Sequence, residues 1–250
     1  MYYHSVKTVL FKGVFENLVH YFVLEFKIKN DEKMSIRQTV IPLVTLAIIC
    51  FMYFGPITRT PFENIIISII IIIANYIEYE GKPFSALGFK RAKFNAKNLL
   101  VHAPLIALGL FIFYVFAVVP GIEKLTGVPI DYSSMGQLEG NLQVTIVWLL
   151  IVWATAGFGE EIIFRGYLMR QFVKFFGDSK ISLAINILII CGFFGYMHMQ
   201  QGITGQLVVV IIGALLSIIF YMRKYDLWFM IMIHGFFNTL GILSFYFGLA

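Results

Sequence analysis

Seven stretches of this chain, 40–54, 62–77, 99–119, 142–161, 181–198, 206–222 and 228–247, are apolar over fifteen to twenty-one residues, and they recur along almost its whole length. A segment of about 20 apolar residues crosses a hydrocarbon core roughly 30 Å thick, and inside lipid a backbone must satisfy its own hydrogen bonds. The pattern therefore predicts an all-α, polytopic transmembrane helical bundle of about seven spans (six to eight), an integral multi-pass membrane protein. Composition agrees: 59% of the 250 residues are hydrophobic, 13% are charged, and mean hydropathy is +0.83, outside the range of a soluble domain. Residues 1–37 are mixed and basic and read as a cytoplasmic or interfacial arm, with Met34 an alternative start. Residues 38–250 form the membrane domain, and 142–247 carry its polar motifs.

The loops carry Lys and Arg in strict alternation. Six precede the first span, Arg59 alone follows it, and then come five in 78–98, Lys124 alone, four in 165–180, none in 199–205, and Arg223-Lys224. Positive loops stay cytoplasmic, so the N-terminus is expected inside and the C-terminus outside. The net charge of +5 is spread over these loops, which favours anchoring to lipid headgroups over nucleic acid. Cys50 and Cys191 lie within apolar runs and predict neither a disulfide nor a thiolate metal site. Glu78 and Glu80 read as a solvated cluster with Lys82.

Against this background three polar clusters stand out: Glu160-Glu161 with Arg165, Phe194 with His198, and His234 with Asn238. Ionisable side chains at membrane depth face a bundle interior or a wet cavity and mark function. Successive helical residues point about 100° apart, so both glutamates cannot face one point, whereas Glu161 and Arg165 at i,i+4 can pair. That assignment leaves Glu160 for chemistry. His234 and Asn238 share a face by the same spacing. Glu160 lies 18 residues before a turn centred on Asp178 and His198 lies 20 after it. At 1.5 Å per residue both stand about 27 to 30 Å from that turn and can meet. The 165–176 stretch reads as an amphipathic segment along the cytoplasmic interface, with access to the site from that side. A carboxylate and histidines converging in a partly dry cavity can activate a water, and donors such as His234 and Asn238 can hold a developing oxyanion.

In these motifs the chain resembles the CAAX prenyl endopeptidase and bacteriocin-processing (CPBP, or ABI) family of intramembrane proteases. The family signature of EExxxR, FxxxH and HxxxN reads here as Glu160-Glu161-Ile162-Ile163-Phe164-Arg165, Phe194-Gly195-Tyr196-Met197-His198 and His234-Gly235-Phe236-Phe237-Asn238. The resemblance implies an intramembrane endopeptidase acting on a membrane-associated peptide or protein in the bilayer. Glu160 and His198 would activate water, His234 and Asn238 would form the oxyanion site, and Glu161 and Arg165 would support them. Glutamate plus two histidines also suits zinc. The HExxH pattern is absent and Asn238 fits glutamate-dependent chemistry better, so no metal is expected; Glu160, His198 and His234 are the ligand set if one binds. Compact loops and Ile-, Phe- and Lys-rich composition fit a prokaryotic cell membrane. The rival readings are a non-catalytic bacteriocin-immunity or scaffold protein of the same fold, and a proton-coupled transporter.

Overall fold

A computed structural model describes residues 35–55, 60 and 62–249. Most of the expected basic arm, residues 1–34 with Met34, lies outside the described residues. Regular structure among the described residues is helical throughout. Seven principal helices run between two ends of a bundle: α1 (Ile36–Phe54), α2 (Glu63–Glu78), α3 (Asn98–Thr126), α4 (Leu142–Phe176), α5 (Lys180–Tyr196), α6 (Gly202–Met222) and α7 (Leu227–Tyr246). Five of these helical stretches are long and apolar enough to cross a membrane; α2 and α5 are shorter, at 16 and 17 residues.

Local chemistry sets several helix ends. Ser35 caps α1 through a capping box with Gln38, so this helix begins at Ile36, inside the expected arm. Asp226 accepts the Phe229 N–H at 3.3 Å and starts α7 the same way. Within α1, Pro42 has no N–H to give the carbonyl of Gln38 four residues back. The Lys174 ammonium of α4 supplies that bond instead.

Lys174 does more. Its Nζ also lies 2.6 Å from Glu78, whose other oxygen accepts from Gln171 Nε2 at 2.8 Å, and the Glu78 side chain is fully buried. The expected solvated cluster with Lys82 is thus replaced by a buried clamp joining α1, α2 and α4, while Glu80 pairs with Arg37. Burial decides the difference, because a carboxylate packed between helices needs a fixed partner.

One expectation about α4 also changes. The helix does not turn along the interface after Glu161 but continues to Phe176, and Ile162 through Met169 are all buried. Neighbouring helices cover every side of this segment, so its basic residues reach partners inside the bundle: Arg170 lies 5.5 Å over the Tyr225 ring.

The two ends of the bundle are tied separately. At one end Lys93 Nζ donates to the carbonyls of Arg223 (2.6 Å) and Lys224 (2.8 Å). At the other, Thr126 and Thr204 hydroxyls meet at 2.7 Å and the Gly140 N–H donates to Tyr246 at 3.0 Å.

Candidate active site

Over Trp153–Met169 the backbone of α4 winds with i→i+5 bonds, a wide form of helix that recurs at functional sites. Its extra residue per turn brings successive side chains closer in direction than 100°, which lets Glu160 and Glu161 address two faces of one imidazole. Glu161 Oε1 accepts from Arg165 Nη1 at 2.9 Å and from His234 Nδ1 at 2.8 Å. Glu160 Oε2 stands 4.0 Å from Nε2 of the same ring. Glu161 and Arg165 are sealed from solvent, at 0% and 1% exposure, whereas the Glu160 side chain keeps 13%. That contrast separates the two adjacent acids: one is locked into the core and the other reaches open space.

The chain of contacts extends through the bundle. Arg165 Nη2 donates to the Gly213 carbonyl of α6 at 3.1 Å, and its guanidinium lies 5.0 Å over the Phe194 ring of α5. Four helices therefore meet on one buried ion pair. His198, just past the end of α5, has Nδ1 2.8 Å from the Phe194 carbonyl. A carbonyl only accepts, so Nδ1 carries the proton and Nε2 of the neutral ring is an acceptor.

Glycine makes the approach of α4 and α7 possible. A Cβ on Gly235 would fall 2.5 to 2.6 Å from three carbons of the Trp153 ring, which is pinned by its Nε1 donating to Thr239 at 3.0 Å. Gly235 sits beside His234, so this contact sets the depth at which the imidazole enters the site. Likewise a Cβ on Gly159 would meet Asn64 at 3.0 Å, and Gly159 precedes Glu160.

Two residues of the site belong to none of the three motifs. Asn64 of α2 donates from Nδ2 to Glu160 Oε1 at 3.3 Å, and Tyr53 of α1 donates its hydroxyl to Asn64 Oδ1 at 2.8 Å. They lie about a hundred residues before Glu160, at no motif spacing. A polar Asn-Xaa3-Ser pair in the Ile-rich run of α2 was the available hint: Ser68 donates to the Asn64 (2.7 Å) and Gly159 (3.2 Å) carbonyls and fastens α2 to α4.

Glu160, His198, His234 and Asn238 line one cavity of about 250 Å³, walled by aromatic residues such as Phe111, Tyr114, Trp148 and Phe237. Among the described residues nothing pairs with the Asn238 amide. A second cavity of about 450 Å³ shares Glu160, Phe194 and His198 and is lined by Thr60, Glu63, Asn64 and Gln200. Both cavities are bordered by residues of 198–201 or by Thr60, Glu63 and Asn64, at the end opposite Lys93 and Arg223. Access from the strongly basic end, as the sequence suggested, is not what the structure shows: the clamp at Glu78 and the buried 162–169 segment fill that side. No group of three His, Cys, Asp or Glu side chains among the described residues has the arrangement to hold a metal ion, so Glu160, His198 and His234 do not form a ligand set in this geometry.

Residues 142–240 match the family described as Rce1-like, type II CAAX prenyl endopeptidase Rce1-like. The chain is similar to that family over this stretch. The matched stretch spans α4, α5, α6 and most of α7 and contains all three motifs. Neither curated proteins nor solved structures gave a match. Helices α1 to α3 lie outside the matched stretch, yet α2 supplies Asn64 to Glu160 and α1 supplies Tyr53 to Asn64.

Proposed function

We propose that the protein is an intramembrane endopeptidase that hydrolyses a peptide bond of a membrane-associated peptide or protein, using Glu160 as general base. The observation that carries this reading is the sharing of one cavity by Glu160, His198, His234 and Asn238, within a stretch that matches an endopeptidase family. Glu160 takes a proton from water as its oxygen attacks the scissile carbonyl carbon, and His198, its Nε2 an acceptor, orients that water. The carbonyl oxygen becomes an oxyanion facing His234 and Asn238. Glu161 accepts from His234 Nδ1 and orients the ring, which donates through Nε2 when that nitrogen carries a proton; the Asn238 amide is the second donor. As the C–N bond breaks, Glu160 returns its proton to the departing amine, leaving a new carboxyl and a new amino terminus.

Glu161 and Arg165 hold His234 at its station rather than touching substrate. Water activation is assigned to Glu160, whose side chain keeps 13% exposure and lines the cavity. Membrane peptides from cells producing the wild type, Glu160→Gln or His198→Ala, compared by mass spectrometry, test the proposal. New termini are expected with the wild type alone and should survive chelator treatment of the membranes. Identical termini in all three samples would overturn it.

A further inference from the structure

The candidate site is reached from one end of the bundle, and the two ends differ sharply in charge. The open end is built from Thr60, 62–64, 120–141 and 197–205, and in the last two of these segments Lys124 is the one Lys or Arg. The closed end carries five in 79–98, one in 177–180 and two in 223–226. These are structural ends as well as sequence segments. Lys93 bonds the 223–224 turn at the basic end. At the open end the Asp131 N–H donates to Gln201 at 3.2 Å, next to the shared rim of the cavities.

A further, apolar cavity adjoins the candidate site. Phe111, Tyr114, Tyr132, Gly241 and Phe245 line both the site's cavity and this neighbour of about 410 Å³, which reaches Phe116, 78% exposed on the outside of the helical bundle. This neighbouring cavity lies between α3 and α7 and is lined mostly by apolar side chains. Basic segments remain on the cytoplasmic side because translocating Lys and Arg is unfavourable and the surface potential of that leaflet retains them.

We infer that the cavity opens to the outward, non-cytoplasmic side and takes an apolar peptide segment that has already been translocated and lies in the outer leaflet. What happens to the segment rests on the endopeptidase reading above, but the orientation stands on charge and geometry alone. The substrate class is then an exported, membrane-associated peptide rather than a cytoplasmic protein tail.

Single cysteines test this in a Cys50→Ser background, since Cys50 is exposed and Cys191 is buried. Gln200→Cys sits at the rim, Ser134→Cys at the same end but outside the lining of both cavities, and Lys90→Cys at the basic end; all three positions are exposed. A membrane-impermeant maleimide is applied to intact cells and again after permeabilisation. The expected result is modification of Gln200→Cys and Ser134→Cys in intact cells, with Lys90→Cys modified only after permeabilisation. The reverse pattern overturns the inference, as does modification of all three from one side, or a Gln200→Cys thiol that stays blocked after permeabilisation while Ser134→Cys reacts outside. Should Gln200→Cys fail to fold, Ser134→Cys reports the same end. Because labelling needs no turnover, orientation can fail while hydrolysis stands, and loss of hydrolysis leaves the labelling pattern intact.

Discussion

Adjacent glutamates with opposite surroundings should respond oppositely to the same mutation. Replacing Glu161 by Gln removes the negative charge facing Arg165 at 2.9 Å and His234 at 2.8 Å, in a pocket with 0% to 1% exposure. Removing one partner of a buried ion pair costs about 3 to 5 kcal/mol, because the other charge is left uncompensated. The Gln carbonyl still accepts one of the two bonds, so the lower figure, about 3 kcal/mol, is expected. Glu160→Gln keeps an acceptor for the Asn64 amide and disturbs a partly exposed group, so its cost should stay below about 1 kcal/mol. The gap of about 2 kcal/mol corresponds to roughly a 30-fold difference in the unfolding equilibrium. Reversible unfolding in mixed micelles, titrated with a denaturing detergent and followed by circular dichroism, measures it. Both variants should lose cleavage, but Glu161→Gln alone should lose stability. Equal stability of the two, or a Glu160→Gln protein as weak as Glu161→Gln, would refute the assignment of one acid to the core and the other to chemistry.

Asn64→Ala should lower kcat about tenfold with little change in KM, the lower end for a hydrogen bond to a charged group of about 1.5 kcal/mol, and Tyr53→Phe should lower it less; steady-state kinetics on a cleaved membrane peptide would show this, and an unaltered kcat in Asn64→Ala would contradict it. Gly235→Ala forces a methyl against the pinned Trp153 ring and should destabilise by about 1 to 3 kcal/mol, relieved in part by a second change of Trp153→Phe in the same unfolding assay. Burial raises the Asp226 carboxyl above its ordinary range despite the Phe229 N–H and the nearby Lys93 and Arg223, so its ionised form is disfavoured in the folded state. Asp226→Asn, which keeps the cap acceptor, should therefore be more stable than the wild type at neutral pH, and the advantage should vanish on acidification as both side chains become uncharged; an advantage that grew toward low pH would be contradictory.

The sequence made the span count and the motif side chains readable because both depend on local rules. Apolar length defines a crossing helix, and i,i+4 spacing puts Glu161 beside Arg165 and His234 beside Asn238 whatever surrounds them. The antiparallel count from the turn at Asp178 places Glu160 and His198 at one height for the same reason, and both line the shared cavities. Long-range packing was not readable. Nothing local says that Asn64 faces Glu160, that Gly235 seats the Trp153 ring, or that Lys174 completes the carbonyl left open by Pro42. The wide winding of α4 has no propensity signature either, and the amphipathic look of 165–176 misleads because its polar residues bond to other helices rather than to water. Which end of the bundle is open depends on how loops and helix ends close over the site, a property of the assembled helices.

Hydrolysis by a water that Glu160 activates has a direct chemical signature. A membrane peptide cleaved in oxygen-18 water by the purified protein should carry one heavy oxygen in its new carboxyl terminus, and Glu160→Gln, still folded, should yield no such product. Product formed without heavy oxygen, or formed equally by Glu160→Gln, would contradict a glutamate-activated water at this site.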